Sequence, residues 1–70
     1  MRTMNAQAAR CAAKIGNEFS ALLAGMPNKF FCLTFDQESR VWEKVISAYD
    51  SGTHSIDALK RVARQAVEEV

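Results

Sequence analysis

One imidazole, two thiols and a scatter of carboxylates are the groups in this 70-residue sequence from which acid–base, nucleophilic or metal chemistry would be assembled. His54, with Asp50 and Asp57 close in sequence, has the make-up of an oriented base or a pH-sensitive contact, and equally of an ordinary turn histidine. Nucleophilic catalysis would need Cys11 or Cys32 beside His54, yet neither cysteine lies in a recognisable local signature. Structural zinc wants four ligands in closely spaced pairs, which two distant cysteines and one histidine do not supply. The three glycines stand apart, so there is no phosphate-cradling loop. The sequence reads as a non-enzyme with no catalytic, metal-ligating or cofactor-binding residue.

A length of 70 residues and 7.8 kDa allows a single small domain over 1–70. A core of that size supplies only about 3–5 kcal/mol of stability, and a partner chain is one common supplement. Nine Lys and Arg against eight Asp and Glu leave +1, with no bulk preference for nucleic acid. The distribution is uneven. Arg2, Arg10 and Lys14 precede any acid, whereas Asp36, Glu38, Glu43, Asp50 and Asp57 outnumber Arg40 and Lys44 in the middle of the chain. Cys11 in an alanine-rich pattern and Cys32 in an apolar run read as small buried hydrophobes of a reducing compartment. No apolar run approaches a membrane span or a secretory signal. The first 17 residues share the basic, acid-free composition of a transit peptide but hold no serine and lead straight into a stronger helix, so a cytoplasmic location is expected.

Met4, Ala8, Cys11, Ile15, Phe19, Leu22 and Met26 recur by threes and fours, predicting one long helix over about 4–25. Thr3 or Asn5 caps its start; Gly25, closing in the left-handed region, and Pro27 end it. The small residues and Gly16 would let another helix approach closely. Residues 29–35 are too short for a helix and rich in strand-favouring aromatics, so they are expected to be extended, with a real strand requiring a paired copy or a partner's sheet edge. Thr34 and Gln37 fit a capping box opening a helix over 36–51, with Val41, Trp42, Val45, Ala48 and Tyr49 on one face and Gly52 at its stop. Thr53 or Ser55 caps a last helix over 55–70, whose apolar face runs through Ile56, Leu59, Ala63, Ala66 and Val70. The expected fold is mainly α, three helices and a short extended segment, forming a homodimer.

Lys60, Arg61 and Arg64 cluster on the last helix and could meet phosphates, although Asp57, Glu68 and Glu69 stand near enough to pair with them. The order strand, helix, glycine turn, helix from residue 29 to 70 resembles that of ribbon-helix-helix repressors, which implies a dimeric DNA-binding regulator whose paired strands read the major groove. The chain departs from that pattern in three ways. The outward strand residues would be Phe30, Cys32 and Thr34 rather than polar or basic ones, the first helix of the unit is about two residues too long, and the N-terminal helix is extra.

Five of the six aromatic residues, Phe30, Phe31, Phe35, Trp42 and Tyr49, fall within 20 positions. That density exceeds what so small a core buries on its own, and aromatic rings dominate interface centres. The principal expectation is therefore a small adaptor or inhibitor that occludes a protein partner. Phage- and mobile-element-encoded anti-host proteins, anti-CRISPR proteins among them, have this size and lack of chemistry. Its contact surface is expected at Phe30, Phe31, Trp42 and Tyr49, rimmed by Asp36, Glu38, Glu43 and Asp50, acids that in line would also imitate phosphates.

Overall fold

The computed structural model describes residues 5–70, which form four α-helices and one 3₁₀-helix. In chain order these are α1 (Ala6–Ile15), α2 (Glu18–Ala24), the 3₁₀-helix (Asn28–Cys32), α3 (Phe35–Asp50) and α4 (Ile56–Glu69). The fold is mainly helical, but the expected long first helix is two, and the expected extended segment is a helical turn. Met4, Arg2 and the alternative cap Thr3 lie outside the described residues.

The first difference is caused by Gly16. Its φ of 64° and ψ of −134° are open to glycine and strained for any L side chain, so the α1 ladder stops there and α2 restarts at Glu18. A Cβ on Gly16 would meet nothing within 4 Å, so the residue supplies a bend and not the close helix contact its neighbours suggested. The apolar spacing runs unbroken across the bend because both helices face the same core. Ala8 and Cys11 of α1 and Leu22 of α2 are all buried.

The second difference lies between Pro27 and Leu33. A lone extended segment would leave its backbone groups without partners, whereas the 3₁₀ turn satisfies some of them locally, Phe30 N–H donating to Pro27 O and Leu33 N–H to Phe30 O. The turn buries Phe30, leaves Phe31 and Cys32 exposed, and removes the strand on which the paired dimer and the ribbon-helix-helix order both depended. Cys32 is thus not the buried hydrophobe expected of it. Gly25 followed by Pro27 ends the helical stretch where expected, but at φ −87°, an ordinary conformation rather than the left-handed one. A Cβ there would stand 3.3 Å from Lys60 Cε.

Helix α3 is the hub, packed against α1 on one side and α4 on the other. Its buried stripe is Val41, Trp42, Val45 and Ile46, answered by Leu59, Ala63, Ala66 and Val67 of α4. Both ends are capped by devices legible in the sequence. At the start, the Thr34 hydroxyl accepts from Gln37 N–H while the Gln37 side chain accepts from Thr34 N–H. At the end, Thr53 N–H donates to Ala48 O and Gly52 N–H, at φ 110°, to Tyr49 O, a Schellman closure. Ser55 caps α4 by accepting from Ala58 N–H. No helix among the described residues is long and apolar enough to cross a membrane.

Candidate functional site

At the N-terminal end of α3 the core does not close. Phe19 from α2, Phe30 from the 3₁₀-helix and Trp42 from α3 stack into an aromatic floor, with Phe19–Trp42 centroids 5.2 Å apart and Phe30 set edge-on to Trp42 at 5.6 Å. Above this floor lies a groove of about 370 Å³, walled by Leu23, Phe31, Leu33 and Phe35 and touched by Asn5, Ala8 and Glu38. Phe31 is 65% and Phe35 63% exposed, the two large hydrophobic residues left in water among the described residues.

Local geometry explains both exposures. Phe31 follows the buried Phe30 in a tight turn, so the two rings cannot share a direction; they meet edge to face at 5.2 Å and only one reaches the core. Phe35 opens α3 ahead of the turn in which the buried stripe begins, where α1 starts only at Ala6 and covers little of it. Asn5 holds this corner together. Its Oδ1 accepts from Gln7 N–H as the α1 cap, and its Nδ2 donates to Ser39 Oγ at 3.0 Å and Phe35 O at 3.3 Å. The Trp42 indole N–H is buried with no acceptor among the described residues, a deficit of roughly 1–3 kcal/mol located in the groove's floor.

The expected contact residues separate accordingly. Phe31 is on the surface. Phe30 and Trp42, 5% and 1% exposed, are core and form the floor from within, a correction that follows from Trp42 sharing its helix stripe with Val41 and Val45. Tyr49 lies at the far end of α3, half-buried against His54 at 4.4 Å between ring centroids. Of the four acids, only Glu38 reaches the groove. It stands three residues after Phe35 and four before Trp42, on their side of the helix. Asp36, Glu43 and Asp50 recur every seven residues along an exposed side, about 10 Å apart. Glu38 is off this side and Asp50 is already bound to Lys14 at 3.0 Å, so the four acids do not line up together. Phe19, Leu23, Leu33, Phe35 and Asn5 belong to the site without having been singled out for it. Phe19 was visible as the sixth aromatic, too distant in sequence to count with the other five.

The chemistry-bearing groups have settled elsewhere. His54 is exposed, and its Nε2 lies 3.1 Å from Tyr49 O at the C-terminal end of α3. Both cysteines are free; burial pushes the Cys11 thiol up to about 11, away from the thiolate a nucleophile needs. No group of three or more metal-ligating side chains occurs among the described residues. In the basic cluster, Arg64 donates through Nε and a terminal guanidinium nitrogen to Gly25 O, at 3.3 and 3.2 Å, and the Lys60 stem passes close beside Gly25. Arg64 thus ties α4 to the C-terminus of α2, Lys60 brings only its aliphatic stem there, and Arg61 and Arg64 are both exposed residues. No family model matches this chain, and no curated protein or solved structure does either.

Proposed function

We propose that the protein is a small non-enzymatic binding protein, an adaptor or inhibitor that occludes a surface of another protein, and that it does so through the aromatic groove. The observation that carries this reading is the pair of exposed rings, Phe31 and Phe35, standing over an apolar channel of about 370 Å³. A single large apolar residue in water is unremarkable. Two of them flanking a concave aromatic surface resemble the centre of an interface, where rigid rings desolvate much area at low entropic cost. The regulator reading loses support, because its strand is a 3₁₀ turn.

The test is affinity capture from host lysate, with and without nuclease, comparing the native chain with Phe31→Ser/Phe35→Ser. A stoichiometric protein retained after nuclease and lost with the double variant is the expected result, provided that the variant keeps the native circular dichroism. Equal capture by the variant, or a catch that disappears with nuclease, overturns the reading.

A further inference from the structure

We infer that the groove's occupant is an amphipathic, basic segment of the partner protein, which lays large apolar side chains into the channel and sets a Lys or Arg on Glu38. The inference rests on the binding reading above and adds the partner's chemistry to it.

Charge carries the first step. Among the described residues Glu38 is the one charged residue lining the groove, and Asn5, its polar neighbour there, already spends its amide on Ser39 and Phe35. Among the described residues no donor or cation is bonded to the Glu38 carboxylate, whereas Asp50 has Lys14 and Glu69 has Lys44. Any occupant that closes the groove strips water from this carboxylate. An occupant without a donor there leaves it desolvated and unpaired, and an acidic one repels it; a basic one replaces the lost water with a charge-assisted hydrogen bond, stronger than a neutral donor supplies. Arginine suits the position further, since its flat guanidinium can lie on the exposed Phe35 ring while its fork meets the carboxylate.

Shape carries the second. A small molecule sunk in the channel leaves the outer faces of Phe31 and Phe35 wet. A polypeptide segment lying across the rims covers both. A second copy of this chain fits less well, because a symmetric contact brings one Glu38 toward the other and no lining residue among the described ones supplies a cation. The specificity therefore comes from a repulsive element as much as from an attractive one.

The test uses the full chain, isotope-labelled, titrated by NMR with two blocked peptides of roughly 15 residues. They share one leucine face and differ only in carrying lysine or glutamate at every polar position. The lysine peptide is expected to bind at least about tenfold more tightly, moving the amides of Phe31, Leu33, Phe35 and Glu38. Glu38→Gln should erase that preference and Glu38→Lys reverse it, with the same amides responding. Equal affinity for both peptides at the groove overturns the basic partner and leaves the binding reading standing. If neither peptide moves the groove amides, both fail. Concentration-dependent sedimentation that Phe35→Ser abolishes would assign the groove to a second copy and overturn the inference as well.

Discussion

The two ends of α3 carry aromatic side chains in different circumstances. At the C-terminal end Tyr49 is half-buried against His54, and the surroundings are tied off by the Schellman turn and the Lys14–Asp50 ion pair. At the N-terminal end the backbone is capped equally well by Thr34 and Gln37, yet Phe31 and Phe35 stay in water over a groove. Helix α3 is capped at both ends, so the exposure at one of them does not come from an unfinished helix; among the described residues Phe31 and Phe35 are the large hydrophobics left uncovered.

The sharpest way to break this contrast is to exchange the roles of Trp42 and Phe35. Trp42→Ala removes a fully buried ring and should cost about 3–5 kcal/mol, as much as the whole stability of a domain this size, so thermal melting should show an unfolded chain. Phe35→Ser should melt within about 0.5 kcal/mol of the native chain. A large loss from the latter would make Phe35 core and close the groove as a candidate. Next in size, Gly16→Ala should destabilise by about 1–3 kcal/mol, read by urea denaturation, although its side chain would touch nothing. Thr34→Ala should cost about 1 kcal/mol by removing the α3 cap, localising the loss to the groove's end of the helix. Because burial raises the Cys11 thiol from 9.0 to about 11 in the folded chain, the stability it lends is complete below pH 9, neutral pH included, and is lost as the pH climbs from 9 to 11. Melting curves across that window should flatten in Cys11→Ala.

Much of the scaffold was legible. The apolar stripes of α3 and α4, the Thr34–Gln37 capping box, the Ser55 cap and the Gly52 stop all depend on neighbours three or four residues away, which sequence displays directly. The bend at Gly16 was hidden because the hydrophobic spacing continues through it; periodicity reports the face and not the integrity of the helix. The 3₁₀ turn was hidden because aromatic enrichment measures how well a side chain fits a pleated surface, and here there is no second strand to form one. The site was half legible. Aromatic density marked the region, but Phe30 and Phe31 differ in burial through a backbone direction that composition does not encode. Trp42 could have been placed from its own stripe with Val41 and Val45. Arg64 had nearby acids as sequence partners, but it binds Gly25 O, which lies 39 residues away.

The side-chain ties that hold α1 to α3 have a consequence for the order in which the molecule assembles. Asn5 to Ser39 and Lys14 to Asp50 span 34 and 36 residues, whereas α3 and α4 are joined by a single short turn. Closing loops of that length costs roughly 3 kcal/mol of chain entropy before any contact is made, so the α3–α4 hairpin is expected to form first and α1 to dock onto it late. Stabilising α1 therefore lengthens the lifetime of the folded protein without making it fold faster.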